Sequence, residues 1–252
     1  MSMNPRLLRP KATRFNPKSI ASLGLWIDFA DTSTVTLDEN NKISAVLDKS
    51  GNGFSGTQTT SGDRLGVSTL NGLQCADNGT AANSLSVSYN PNAITTNLRH
   101  TFIVARWDAG GSTFPTISVP LSAHSFLSLG DTGVGAVLVG NNGTSRWNPS
   151  GPTVMVGTGR RWRTNGGIVY TDSTNFTALE AFAFFGSTFL FAGDAQETVT
   201  INGWRIGNDR LNVGRGWRGR ICEVVSYTAS LSLSQQNAVE SYLARKWGVT
   251  LA

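Results

Sequence analysis

Short stretches of alternating hydrophobic and polar residues run along the chain from Ile20 onward. Residues 84–89 (Ser-Leu-Ser-Val-Ser-Tyr) alternate strictly, which is typical of a strand with one buried face. Residues 23–29 and 101–105 are apolar runs of strand length. Further strands are predicted at 116–119, 126–129, 135–139, 153–156, 167–170, 181–185, 189–191, 198–201, 204–206 and 219–227. Many short strands at such spacing predict an all-β sandwich or barrel.

Asn-Gly pairs mark turns between these strands, because two-residue hairpin turns need a positive φ at both positions. The pairs begin at Asn52, Asn71, Asn142, Asn165 and Asn202. One helix is predicted near the C-terminus. Ser232 is its expected N-cap, Gln235 completes a capping box, and Gly248 ends it. No linker or internal repeat divides the body.

The positive charge of the chain is confined to its N-terminus. Residues 1–18 contain no acidic residue, whereas the remaining 16 basic residues of the 21 are balanced by all 16 acidic ones. The basic residues of this arm are Arg6, Arg9, Lys11, Arg14 and Lys18. Its three prolines favour extended backbone. We therefore divide the chain into an extended basic arm, 1–18, which would contact an acidic partner, and one globular domain, 19–252.

The sequence also limits where the protein resides. It has no apolar stretch of the roughly 20 residues that cross a bilayer, and the arm lacks the apolar segment of a secretion signal. We expect assembly in the cytoplasm and no membrane insertion. Cys75 and Cys222 are expected to be buried free thiols, although a disulfide between them stays open.

Two segments resemble the concanavalin A-like lectin and glucanase superfamily, in its laminin-G-like form. The first contains Leu25-Trp26-Ile27-Asp28 and the loop Asp48-Lys49-Ser50-Gly51-Asn52-Gly53. The second contains residues 217–227, followed by Leu231-Ser232 and the ending Tyr242-Leu243-Ala244-Arg245-Lys246-Trp247-Gly248. The two segments lie near the ends of residues 19–249. Between them, the resemblance depends only on the spacing of the predicted strands. The resemblance implies an antiparallel jelly-roll sandwich with one C-terminal helix.

Residues 4–12 also resemble the leader of bacteriophage proteins of this type. This resemblance implies a structural virion protein, such as a capsid decoration protein, head fibre, or tail or collar component. The arm would dock it onto other virion proteins, and it would form a homo-oligomer, with a trimer favoured. The alternatives are a glycan-binding adhesin for host attachment and, less favoured, a glycosidase.

We expect no enzymatic activity and no cofactor. Glucanases of this superfamily carry carboxylates two residues apart on one strand, but no two acidic residues here are spaced by two or four. Acids could still meet across strands. No nucleophile elbow or phosphate-binding loop occurs. Asp48, Asn52 and Asp77 are weak calcium candidates, because calcium needs about six to eight oxygen ligands. Turn formation is the preferred explanation of Asp48 and Asn52.

Aromatic and arginine side chains are the remaining candidate contacts. Trp26 and Trp247 are predicted core residues. Trp107, Trp204 and Trp217 are available as exposed contacts. The best candidates for a glycan or subunit interface are Trp147, Arg160, Arg161, Trp162 and Arg163. We favour a protein interface over a glycan there, since Trp and Arg are enriched at binding hot spots. Nucleic acid is not expected as a partner, because the body is electrically neutral.

Overall fold

The structure is a computed structural model of the 252-residue chain. It describes residues 15–79, 87–88, 96–108, 125–129, 137–141, 144–148, 161–167, 169–171, 188–201, 204–207, 217 and 219–252. The predicted strands at 116–119, 153–156 and 181–185, and the Asn-Gly pairs at 142 and 202, lie outside these residues.

The described residues form sixteen strands. In chain order they are β1 (Leu23–Asp28), β2 (Val35–Leu37), β3 (Ile43–Val46), β4 (Gly56–Thr57), β5 (Gly66–Leu70), β6 (Leu73–Asp77), β7 (Val87–Ser88), β8 (Thr96–Trp107), β9 (Ser125–Leu129), β10 (Val137–Asn141), β11 (Thr144–Asn148), β12 (Arg161–Thr164), β13 (Val169–Thr171), β14 (Thr188–Ile201), β15 (Trp204–Ile206) and β16 (Gly219–Tyr227). Short 3-10 turns cover Pro17–Ser19, Thr32–Thr34 and Ser61–Asp63.

The strands make two antiparallel sheets of eight. The first runs β13-β12-β14-β8-β16-β6-β5, and β1 joins it by pairing with β16. The second runs β11-β10-β9-β15-β7-β4-β3-β2. Together with one C-terminal helix, this is consistent with an all-β sandwich, which confirms the predicted class. β15 and β16 have the predicted bounds, whereas 189–191 and 198–201 belong to one strand, β14, whose register against β8 shifts between Asp194 and Val199.

Turn chemistry explains one hairpin of the first sheet directly. Asn71 and Gly72 join β5 to β6 with φ values of 50° and 73°. Both values are positive, as a two-residue hairpin turn demands. By contrast, the Asn52-Gly53 pair lies in the longer loop between β3 and β4 and makes no such hairpin.

The helix α1 (Leu233–Trp247) packs on the first sheet. The Ser232 side chain accepts a hydrogen bond from the amide of Gln235, and the Gln235 side chain completes the predicted capping box. Gly248 ends the helix with a φ of 71°. Helix and sheet share a buried cluster whose largest members are Trp26, Phe102, Tyr227, Leu243 and Trp247. No helix in the described part of the chain has the length and apolarity needed to cross a membrane.

The N-terminal end of the described chain packs against this same layer. Pro17, which the sequence assigned to the arm, is buried, and Phe15 packs against the core cluster. The Phe15 and Tyr242 rings lie 6.0 Å apart. The body therefore includes residue 15, four residues before the boundary predicted from charge. Lys18 is exposed on its surface.

The two cysteines lie on neighbouring strands, Cys75 in β6 and Cys222 in β16. Both are buried and carry free thiols, as the composition suggested. Burial raises the pKa of the Cys222 thiol well above its ordinary value, and its hydrogen bond with Cys75 adds to the effect. The Cys222 thiol therefore stays protonated, and both cysteine side chains form part of the core.

Candidate functional site

Two acidic residues meet across the pairing of β1 with β16. Asp28 lies opposite Glu223 in the register of the two strands. Directly opposed residues of an antiparallel pair project from the same face, within reach of each other. Both are buried, with side-chain exposures of 4% for Asp28 and 0% for Glu223. Buried carboxyl groups need charged or hydrogen-bonding partners, and α1 provides several of them.

Glu223 receives four hydrogen bonds from the chain. Its Oε1 accepts from Nε1 of Trp26 at 2.7 Å and from the hydroxyl of Tyr242 at 3.0 Å. Its Oε2 accepts from Nε1 of Trp247 at 2.8 Å and from Nζ of Lys246 at 2.7 Å. Three of these donors come from α1. One carboxyl group in the sheet thus fixes the last turns of the helix.

Asp28 holds two lysines at once. Its Oδ1 accepts from Nζ of Lys246 at 2.6 Å, and its Oδ2 accepts from Nζ of Lys49 at 2.8 Å. Lys49 also contacts Oδ2 of Asp31 at 2.6 Å, and its ammonium lies 4.4 Å from the ring centroid of Trp26. We call Asp28, Asp31, Lys49, Glu223 and Lys246 the ionic cluster.

Burial sets the protonation of this cluster. It raises the pKa of Glu223, the charge of Asp28 raises it further, and Lys246 opposes both effects. Burial also raises the pKa of Tyr242, and the Glu223 charge adds to this, so the phenol keeps its proton and donates. Glu223 therefore accepts a proton more readily than an ordinary glutamate does.

The outer part of the cluster is held in its charged form. Burial by itself would lower the pKa of Lys49, but its hydrogen bonds to Asp28 and Asp31 outweigh burial and raise it. The hydrogen bond from Lys49 is the largest of the effects that lower the pKa of Asp31 to about 2. Lys49 and Asp31 thus form a stable ion pair at the rim.

The spacing of acidic residues in the sequence did not exclude two carboxyl groups that meet across neighbouring strands. Asp28 and Glu223 form such a pair. Glycoside hydrolysis needs two carboxyl groups that flank a bound sugar. Here the oxygens of both groups are taken by lysine, indole and phenol donors of the same chain. The geometry suits a link between sheet and helix and leaves no room for a sugar between the carboxyls.

Asp48 shapes the loop that follows β3. Its side chain accepts hydrogen bonds from the amides of Trp26, Ser50 and Phe54 and from the Ser50 hydroxyl. These N–H and O–H donors occupy the oxygens that a calcium ion would need. The loop thereby ties β1 in place and positions Lys49 beside Asp28.

The other weak calcium candidates also have local partners. The Asn52 side chain donates to the carbonyls of Leu23 and Gly24 at 3.0 Å each. Asp77 accepts from the amide of Gly79 at 2.8 Å. Within the described ranges, no group of three or more His, Cys, Asp or Glu side chains could hold a metal ion.

Arg163 differs from its predicted place. The sequence placed it among surface contacts, but its side chain is buried and bonds to Glu240 and Asn237 of α1. Trp204 and Trp217, which the sequence left as possible exposed contacts, are buried as well. Their indoles donate to the carbonyls of Phe54 and Arg106. Because Arg163, Trp204 and Trp217 are buried, their side chains cannot contact a glycan at the surface.

Several predicted contacts lie outside the described side chains. Trp147 belongs to β11, and Arg161 and Trp162 belong to β12, but only their backbone is described. Arg160 and the arm residues Arg6, Arg9, Lys11 and Arg14 lie outside the described residues altogether.

The ionic cluster was not predicted, although the sequence carried a signal for it. Glu223 interrupts the otherwise apolar stretch of β16, and Asp28 ends an apolar β1. A charged residue in a fully buried strand calls for a partner. The Lys246-Trp247 ending was quoted only as a mark of the fold, whereas both side chains bind Glu223.

No family model matches the chain, and no curated protein matches it either. The interpretation of its function therefore depends on its own residues and geometry.

Proposed function

We propose that this protein is a non-catalytic structural component of a bacteriophage particle. In this proposal, a concanavalin A-like jelly-roll body is displayed on the particle and the basic N-terminal arm docks it onto capsid, portal or tail. The observation that carries the proposal is the separation of charge. Residues 1–14 hold four cations and no acid, while the body from residue 15 onward carries 17 basic residues (21 − 4 = 17) and 16 acidic ones.

Internal pairing within the body supports this separation. Several described acids of the body are paired with cations of the same chain, and some of these pairs are buried or half-buried. They include Arg64 with Asp38, Arg163 with Glu240, Arg220 with Asp108, and the ionic cluster. Charges used in this way are poorly placed to attract a partner. The unbalanced cations of the arm are the better electrostatic contact for an acidic surface.

The root of the arm is fixed on the body. Pro17 is buried, its carbonyl accepts from the Tyr227 hydroxyl at 3.4 Å, and Phe15 packs against Tyr242 of α1. The arm therefore leaves the body from a fixed point, which limits where its docking site can lie relative to the body. This arrangement suits a displayed domain whose orientation on a particle is set, and a symmetric particle favours a homo-oligomer such as a trimer.

Deletion of residues 1–14 tests the docking role. The cut precedes Phe15, so the packed root stays intact. We expect the shortened chain to keep the circular dichroism spectrum and melting temperature of the full chain. In cells that assemble the particle, we expect it to be absent from gradient-purified particles, in which mass spectrometry finds the full chain.

A charge variant tests whether docking depends on the cations of the arm or only on the length of the arm. It replaces Arg6, Arg9, Lys11 and Arg14 by Gln, while the control replaces the exposed body cations Lys18 and Arg245 by Gln. We expect only the arm variant to lose incorporation, and its difference from the wild type should shrink as salt is raised, because salt screens the arm cations of the wild type. Normal incorporation of the chain that lacks residues 1–14 would refute the docking role. Absence of the full chain from particles would refute the virion assignment itself.

A further inference from the structure

Lys246 places its amine against two buried carboxyl groups at once. Its Nζ lies 2.6 Å from Oδ1 of Asp28 and 2.7 Å from Oε2 of Glu223. The contacted oxygen of Asp28 is bonded to the carbon that an amine would attack. This arrangement places a nucleophile within hydrogen-bond distance of both an electrophile and a proton carrier. Such pre-alignment replaces a bimolecular encounter and removes much of its entropic barrier.

We propose that Lys246 and Asp28 condense spontaneously to a side-chain amide, an isopeptide bond, with Glu223 as the catalytic proton carrier. The inference concerns a covalent modification of the folded chain. It stands independently of the proposed role in a particle.

The reacting groups lie largely out of solvent, with side-chain exposures of 4% for Asp28, 0% for Glu223 and 18% for Lys246. In water an ammonium and a carboxylate do not condense, because the amine has no free lone pair and the carboxylate is a poor electrophile. In the fold, Glu223 is placed to take the ammonium proton, and the Lys49 cation is placed to polarise the Asp28 carboxyl. The indoles of Trp26 and Trp247 and the phenol of Tyr242 enclose the carboxyl of Glu223 and hold it in place. Burial also raises the pKa of Glu223, so it can carry the transferred proton.

The reaction balances without an external reagent. Glu223 accepts a proton from the Lys246 ammonium, and the freed lone pair attacks the Asp28 carboxyl carbon to form the C–N bond. Glu223 returns the proton to an oxygen of the tetrahedral intermediate, and the second proton lost by nitrogen completes a water molecule. The C–O bond then breaks and water leaves. Nothing is oxidised or reduced, and one positive and one negative charge disappear.

Lys49 has a different part in this geometry. It binds the other oxygen of Asp28 at 2.8 Å and is shared with Asp31 at 2.6 Å. Two carboxylates hold its proton, and its pKa is raised despite burial, so it remains a cation. A fixed cation at Oδ2 stabilises the negative charge that develops there in the intermediate. Lys49 therefore activates Asp28, and Lys246 attacks it.

The bond would join two distant parts of the chain. Asp28 and Lys246 are 218 residues apart in sequence, at the end of β1 and in the last turn of α1. A covalent link between them closes nearly the whole body into one loop. Closing a long loop constrains the unfolded state, as a disulfide does. Here it would do so without thiol chemistry, since both cysteines are free.

Intact mass under denaturing conditions tests the proposal on the full chain. Condensation releases water, so the wild type should be lighter than its sequence mass by about 18 Da. Lys18→Arg is the matched control, because it changes an exposed lysine outside the ionic cluster and should keep the loss of about 18 Da. Lys246→Arg should show the full sequence mass, since a guanidinium stays protonated and does not attack.

Peptide mapping locates the bond. After proteolysis of the wild type, tandem mass spectrometry should find a branched peptide that joins residues 28 and 246. A wild type at full sequence mass would overturn the proposal, as would a branch at Lys49. In folded Glu223→Gln, the cross-link should form about a hundredfold more slowly. Unchanged formation in that variant would remove Glu223 from the reaction.

Discussion

Arg163 of β12 and Glu240 of α1 form a buried two-pronged ion pair. Nε of Arg163 donates to Oε1 of Glu240 at 2.6 Å, and Nη2 donates to Oε2 of the same carboxylate. Nη2 also donates to Oδ1 of Asn237 at 2.9 Å. The planar guanidinium matches a carboxylate in this parallel arrangement. The pair ties the middle of the helix to the first sheet, while the ionic cluster ties its end.

Removing Glu240 should leave Arg163 buried without its counter-charge. We expect Glu240→Ala to lower the free energy of unfolding by roughly 3–5 kcal/mol, because the uncompensated cation keeps its desolvation cost. Urea denaturation followed by tryptophan fluorescence measures this change. The control is the double variant Arg163→Met, Glu240→Leu, which replaces both charges by apolar groups and should cost much less. Equal losses in the two proteins would show that packing, and not charge, is the cause.

The parts of the fold that could be predicted are those that depend on local patterns in the sequence. The bounds of β16 and the caps of α1 follow from apolar runs and from residues within four positions of each other. The ionic cluster could not be predicted in this way. Its carboxyls, Asp28 and Glu223, meet only because β1 pairs with β16, and that pairing depends on the tertiary fold. Arg163 was misplaced for the same reason, since its partner lies 77 residues away.

Gly248 provides a test of how tightly the end of α1 is held. Its φ of 71° is left-handed, and a Cβ there would lie 3.2 Å from Cγ of Asn71. The Asn71 side chain donates to the carbonyl of Lys246 at 2.9 Å, so a shift of Asn71 would also weaken the helix end. We expect Gly248→Ala to destabilise the protein by roughly 1–2 kcal/mol from backbone strain.

The matched control for Gly248 is another exposed glycine. A Cβ at Gly62 would meet nothing within 4 Å. Gly62→Ala should therefore change the free energy of unfolding by less than about 0.5 kcal/mol. Thermal unfolding followed by circular dichroism compares the two variants with the wild type. If both substitutions cost the same, neither the left-handed backbone of Gly248 nor its close approach to Asn71 affects the stability.

His100 should make the stability of the protein depend on pH. Its side chain is buried in β8 and stacks on Phe102, with ring centroids 4.9 Å apart. Burial lowers the pKa of His100 from 6.5 to about 4, and this effect exceeds the opposing charge of Asp194. Arg163 and Arg99 lower it further. The imidazole therefore stays neutral in the folded protein at pH values where it is protonated in the unfolded chain.

The sign of the pH effect follows from proton binding. Between pH 6.5 and 4 the unfolded state binds more protons at this site, so the contribution of His100 is complete above pH 6.5 and is lost as the pH falls toward 4. We expect a loss of about 3 kcal/mol across this range. Urea denaturation at a series of pH values should show the slope in the wild type and a flatter curve in His100→Gln. Because the carboxyl groups titrate in both proteins, the difference between the two curves isolates His100. Parallel curves would mean that the buried imidazole accepts its proton without unfolding.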